Sequence, residues 1–347
     1  MLRQQDVGYR IVVRRIVGIR EGRPLFSDAL GELVELSETH LTLSTAQGHL
    51  RVPVAQVHRA KRVPPTRRPT AAAVVALERA ADEAWPAPTR GQLGDWLLRS
   101  ADGWSGRANS ALPIGDPDRP LPAAVDAVER WYAEQGQPPI INTPLPLAAP
   151  VGAELDARGW AARPPVLVQT TPLPLRPPGS ASAARSTTEQ PSAVGQTGAV
   201  GQTGAVGQTG AWSSAVVELA SAPSAAWLAV AAGRKGGLPD AARHVLTAVD
   251  LVRFAHVYVD GTLVAVGRGT VTGQGRWLGL SLIEVLPAAR RQGLAVRVIH
   301  ELASWGVSSG ATYAFLQVEQ HNVAAVALYR RLGFSTHHTY LTRVAPH

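Results

Sequence analysis

The residues of this chain whose types and spacing point to chemistry lie together near its C-terminal end, in the stretch 281–334, SLIEVLPAARRQGLAVRVIHELASWGVSSGATYAFLQVEQHNVAAVALYRRLGF. They are the run Arg290-Arg291-Gln292-Gly293-Leu294-Ala295, the carboxylates Glu284 and Glu319, and the pair Asn322 and Tyr329. An apolar run, then a glycine-containing loop, then an amphipathic helix describes a strand that ends in backbone amides at a helix N-terminus, which is an anion site. Gly293 and the small Ala295 let a diphosphate approach the backbone closely, and the amides of residues 291–295 point at it with help from the helix dipole. Arg290 or Arg291 can add a charge-assisted bond. Glu284 and Glu319 each close a strand. Tyr329 follows Asn322 by two helical turns, so both face one side. Plainer roles stand beside these: an ordinary strand-to-helix loop, a solvent-facing edge carboxylate, and a tyrosine packed in a core with its hydroxyl satisfied.

The elements that must position these groups are read from periodicity. In residues 213–347 we expect strands at 216–219, 254–259, 262–269, 277–285, 313–318 and 336–343, with helices at 225–232, 241–249, 293–304 and 322–332. Asp260-Gly261 marks a hairpin turn. Residues 1–65 read as five short strands, a small barrel similar to SH3-like domains. They end in a basic tract of Arg59, Lys61, Arg62, Arg67 and Arg68, interrupted by prolines. No aromatic residues are interleaved there to stack on bases, so a solvated linker is favoured over a nucleic-acid contact. Residues 70–172 read as a helix at 71–85, strands at 93–99 and 106–114, a helix at 121–136, a strand at 139–142, a short helix at 153–158 and a strand at 165–169. Residues 173–212 carry three copies of Ala-Val-Gly-Gln-Thr-Gly and too few large apolar groups to offset the entropy of ordering, so they are expected to be a linker without fixed structure.

The middle segment repeats the last one in outline. Ser110-Ala111-Leu112-Pro113-Ile114 matches Ser281-Leu282-Ile283-Glu284-Val285, and Leu155-Asp156-Ala157-Arg158-Gly159-Trp160 matches Tyr329-Arg330-Arg331-Leu332-Gly333-Phe334. Between them Gly115-Asp116-Pro117-Asp118-Arg119-Pro120 replaces the glycine loop. Its acids and prolines add like charge and remove amides, so this copy is not expected to hold a phosphate.

Composition narrows the rest. The absence of cysteine removes disulfides, thiolate ligands and a cysteine nucleophile. The ten histidines show no ligand spacing, and His337-His338, adjacent in a strand, should point to opposite faces; no metal is expected. There is no apolar run of about 18 residues and no signal-peptide pattern at the N-terminus, so the chain is read as cytoplasmic and without a membrane partner. A net charge of +8 suits anionic partners.

The strand, the Arg-x-x-Gly-x-Ala loop and helix, the second strand, Asn322, Tyr329 and the Leu-Gly-Phe ending resemble the GNAT N-acetyltransferase superfamily over about 214–343. The whole layout is similar to an actinobacterial tandem subgroup with an SH3-like start. The resemblance implies an α/β (α+β) fold, a mixed sheet with flanking helices, preceded by a degenerate copy and the small barrel. It implies acetyl-CoA as co-substrate, held by Arg290, Arg291, Gln292, Gly293, Leu294, Ala295 and Asn322. Backbone groups at Val285 and Leu286 would bind pantetheine or the thioester oxygen, where the strand at 277–285 splays from its neighbour. Glu284 becomes the base that deprotonates an amine acceptor, with Glu319 second, and Tyr329 the acid that protonates the departing thiolate. An acid acceptor such as glutamate would need a cationic clamp, for which Arg253, Arg268 and Arg276 are at hand. The reading from another class is a non-catalytic acyl-CoA sensor that contacts nucleic acid or protein through its basic N-terminal domain.

Overall fold

The computed structural model describes residues 2–20, 22–45, 48–63, 69–175, 215–233 and 238–346. Most of the expected linker, residues 176–212, lies outside them. The chain divides into two compact units, Met1–Arg68 and Pro69–His347.

The first unit is one antiparallel sheet of β1 (Arg10–Arg20), β2 (Arg23–Leu36), β3 (His40–Thr45), β4 (Gly48–Pro53) and β5 (Val57–Arg62), in the order β4-β3-β2-β1-β5. Ile11, Val13, Leu33, Leu41, Leu43 and Val52 form its core. The strands alternate apolar-in and polar-out as a sheet with one wet face must. Among the described residues no ladder joins β4 to β5, so the closed barrel expected from five short strands is not formed. The expectation made every strand short, whereas β1 and β2 run on as a long hairpin whose end exposes Val17, Ile19, Leu25 and Phe26. Of the basic tract, Arg62 is engaged locally, on Asp6 and over the Tyr9 ring at 4.0 Å.

The second unit is built on a single mixed sheet. Its helices are α1 (Ala71–Glu83), α2 (Leu121–Glu134), α3 (Ala149–Ala157), α4 (Ala225–Ala232), α5 (Asp240–Thr247), α6 (Leu294–Ser308) and α7 (Val323–Arg331). Its strands are β6 (Thr89–Leu93), β7 (Trp96–Ser100), β8 (Ile140–Leu145), β9 (Ala161–Ala162), β10 (Val166–Pro172), β11 (Val216–Ala220), β12 (Val252–Val259), β13 (Thr262–Thr272), β14 (Trp277–Val285), β15 (Tyr313–Glu319) and β16 (Ser335–Val344). The sheet runs β11-β12-β13-β14-β15-β10-β16-β8, with β9 beside β16 and β6-β7 a separate hairpin. Only β14 and β15 pair in parallel among its ladders.

This order joins the middle and last segments. β10, which ends the middle segment, pairs with β15 of the last one, while β16, which ends the last segment, pairs with β8 of the middle one. The two segments have exchanged their closing strands and share one sheet. One parallel bridge, Ala111 to Ile141, stands in the middle segment where β14 and β15 stand in the last. The strand expected at 106–114 shrinks to this bridge and its antiparallel partner Leu97–Leu112, and the strand expected at 93–99 is a hairpin turning at Gly94.

Leu278, Leu280, Ala314, Leu316 and Val318 face α6 and α7 in the main core. On the opposite face Phe315, Val168 and Tyr340 pack against Leu77, Ala81 and Ala84 of α1 and its C-terminal end. β14 and β15 are therefore held between helices of both segments.

Candidate active site

The site grows from a fork in the sheet. β14 and β15 pair from Trp277–Tyr313 to Leu280–Leu316 and then part. Two features of β14 drive the parting. The ladder to β13 shifts register between Val266 and Arg268, and Leu282 takes φ 52°, so the strand bulges just past its last partner on β15. Pro287, without an N–H, then starts a single 3-10 turn over Pro287–Ala289. The splay expected at this strand is present, and its mouth lies between residues 281–286 of β14 and 317–319 of β15.

α6 starts at that mouth. Gly293 is its N-cap at φ 79°, a left-handed conformation that glycine adopts without strain, and Arg291 precedes it at φ 66°. No side chain caps α6, as none caps α2, α3 or α5, whereas Thr70, Ser224 and Asn322 accept from the first-turn amides of α1, α4 and α7. The first-turn amides of α6 thus carry no side-chain acceptor. No heavy atom stands within 4 Å of where a Gly293 side chain would begin. Leu294 is buried and anchors the turn, while Arg290 and Arg291 are exposed. Arg290 Nε–H donates to the Val285 carbonyl at 3.1 Å, and the Leu286 amide donates to the Val264 carbonyl at 2.9 Å. Those two backbone groups are already engaged. Gln292 Oε1 is buried without a partner.

Glu284 is exposed at the fork, and its charge acts on Tyr329 of α7. Burial, and then the Glu284 charge, push the Tyr329 phenol up to about 12. Its ring packs edge-on against Phe334 at 5.9 Å, which fixes the hydroxyl's direction. Asn322 sits outside α7 as its cap, with Oδ1 accepting from Ala325 N–H at 3.2 Å. Glu319 is exposed and paired with His321 at 3.1 Å. The fork thus brings Glu284 and Tyr329 together, while Asn322 and Glu319 carry local partners of their own.

Several expectations are corrected. His337 and His338 do not point apart. A bulge in β16 opposite Val168–Gln169 inserts one residue, so the rings lie 5.1 Å apart with Nδ1 to Nδ1 at 2.8 Å. His338 Nε2 in turn reaches the buried Glu78 of α1 at 2.6 Å. Nor do the three arginines form a clamp. Arg268 is 1% exposed and donates to the carbonyls of Leu246, Ala84 and Val245, tying the C-terminal ends of α5 and α1. Arg253 lies over Trp305, and Arg276 over Trp277 and Tyr313. Among the described residues no group of three or more His, Asp or Glu is arranged to hold a metal, and no helix is long and apolar enough to cross a membrane.

Comparison with known proteins decides the family. A model of the family described as "Probable histone acetyltransferase Rv0428c C-terminal" matches residues 71–342, nearly all of the second unit. The chain belongs to this family. It is 28% identical to the probable histone acetyltransferase Rv0428c of Mycobacterium tuberculosis, covering 97% of this chain and 95% of that protein. It is also 28% identical to the uncharacterized N-acetyltransferase YobR of Bacillus subtilis, over 77% of this chain and 98% of that one. Among solved structures, a GCN5-related N-acetyltransferase from Kribbella flavida superposes with a TM-score of 0.52 at 16% identity, over 81% of this chain and 97% of that chain. That likeness shows the GNAT fold. The matched segment includes the middle repeat, whose contribution to the far wall of the fork had no local sign in the sequence.

Proposed function

We propose that this member of the acetyltransferase family moves the acetyl group of acetyl-CoA directly to a primary amine, with no covalent enzyme intermediate. The observation that supports it most is a protonated Tyr329 that feels the Glu284 charge, at a fork whose neighbouring helix N-terminus has no side-chain cap. The residues fit acetyl-CoA on their own chemistry: the first-turn amides of α6 and the open space at Gly293 suit a diphosphate, with Arg290 and Arg291 exposed beside them. When bound, acetyl-CoA supplies the thioester carbonyl that an amine attacks.

Glu284 accepts a proton from the acceptor's ammonium, directly or through one water, because only the neutral amine has a lone pair to offer. Tyr329 O–H is still protonated at neutral pH and donates to the departing sulfur. Nothing in the structure favours the sensor reading, which leaves the Glu284 charge on Tyr329 without a purpose. The middle repeat is read as a degenerate GNAT copy, and the first unit as an open relative of SH3-like sheets. Calorimetry with acetyl-CoA, followed by release of free CoA from a panel of amines, tests the proposal. Because the chain has no cysteine, a thiol reagent reports CoA without protein background. Tight binding with no release by any amine favours the sensor.

A further inference from the structure

The face of the fork turned away from α6 carries a ring of side chains that acetyl transfer, as described, does not use. Ser281 and Gln317 stand on either side of the fork, each one residue beyond the last pair, Leu280 and Leu316. Ser281 is the register partner of Arg268. Arg268 lies over the Trp85 ring at 5.3 Å, and Arg107 lies over the same ring at 5.3 Å. Tyr340 sits beside the Arg107 guanidinium and donates from its hydroxyl to Gln317 Oε1 at 3.1 Å. The ring therefore closes on itself through six residues: Ser281, Arg268, Trp85, Arg107, Tyr340 and Gln317.

The ring has donors and positive charge left over. Ser281 Oγ and Arg107 Nε are both buried without a hydrogen-bond partner. Among the described residues neither Arg107 nor Arg268 has a carboxylate ion-pair partner; Glu78, the acid nearest to Tyr340, is committed to His338. Arg268 is compensated by the carbonyl ends of two helices, which suit a cation. Arg107 Nε has no such partner, and a guanidinium beside the Tyr340 hydroxyl is a fork-shaped donor set for an acid group. Leaving it unpaired in a partly buried place is costly, so an anion that fills the ring gains what the bare protein lacks.

We infer that this ring is the acceptor subsite and that it takes an amine bearing a carboxylate or phosphate, with Arg107 and Ser281 holding the acid group while the amine reaches the fork. The inference rests on the acetyltransferase reading and narrows its acceptor class. It places the acceptor on the opposite side of the sheet from the α6 loop, so the two substrates meet at the fork from two faces.

The test compares amines that differ only in the acid group, with CoA release as the readout: α-amino acids against their α-amides, and phosphoethanolamine against ethanolamine. The expected result is a kcat/KM at least about tenfold higher for the acid-bearing member of one series, the series naming carboxylate or phosphate. Arg107→Gln is expected to bring that ratio close to one while the affinity for acetyl-CoA, measured by calorimetry, is retained. Arg107→Lys is expected to keep part of the preference. Equal or better use of the neutral amines overturns the inference, as does a preference that survives Arg107→Gln or acetyl-CoA binding with no acid-bearing amine consumed. The ratio in the unaltered protein decides the matter even where a variant fails to fold. A protein that does not bind acetyl-CoA would instead remove the acetyltransferase reading itself.

Discussion

Tyr329 and Glu284 hold each other in complementary states. A phenol raised to about 12, by burial and then by the Glu284 charge, stays protonated across the working range. Tyr329→Phe is therefore expected to lower kcat by about 10²-fold or more with little change in acetyl-CoA affinity, since it removes a proton donor and no binding contact. Glu284→Gln is expected to lower kcat as well, because it removes the proton acceptor, and steady-state kinetics with calorimetry checks both. At this scale the sequence was readable where chemistry depends on local pattern. Gly293 before an amphipathic run and Tyr329 in the following helix are seen in a line of letters. Asn322 carried a local signal too, an asparagine just ahead of a helix, and it caps that helix through Oδ1. Arg107 was not readable, because its neighbours Trp85, Tyr340 and Ser281 come from both repeats and only the folded sheet brings them together.

Among elements, the two loop-to-helix connections show what decides an anion site. In the middle repeat Asp95 Oδ2 accepts from the Asp116 amide at 3.0 Å and Asp116 Oδ1 from the Asp118 amide at 2.8 Å. Pro122 occupies the first turn of α2. Carboxylates of the protein there take amides of the loop ahead of α2, whereas the loop ahead of α6 carries no acid. Ala295→Glu is expected to reproduce that state in α6: acetyl-CoA affinity falls by about 10²-fold or more, while the melting temperature holds or rises because an acid in the first turn suits the helix dipole. Calorimetry and thermal denaturation separate the two effects. The bulge in β16 yields an acid-sensitive contact. Burial, with His338 beside it, holds His337 below its ordinary value, so the folded state binds fewer protons than the unfolded one. That stability is whole above about pH 6.5 and is lost as pH falls toward the folded value. A melting temperature that declines on acidification through that window, and less so in His337→Asn, is the expected result. A bulge is set by pairing with a distant strand, which is why the two rings looked divergent in sequence.

For the molecule as a whole, the exchanged strands dictate what can be cut away. A fragment of residues 213–347 lacks β10, so β15 and β16 lose the strand between them, and we expect it to be unfolded or aggregated. Co-expression with residues 69–175 should restore a soluble complex, as size-exclusion chromatography would show. Removing Met1–Arg68 should leave the second unit folded and able to bind acetyl-CoA, since that unit has cores of its own. Periodicity found the strands of this sheet but not their order, because an exchange between repeats leaves each strand's own alternation unchanged.

The same exchange sets the timing of folding on the ribosome. Leu145 of β8 waits for Thr339 of β16, which is made long after it. The middle segment therefore emerges with its sheet edge open and cannot close until β16 has followed, whereas the first unit has every strand partner between Arg10 and Arg62. The nascent chain must carry an unfinished, edge-exposed half until then, so termination ahead of β16 should yield a product that depends on chaperones rather than a smaller folded unit.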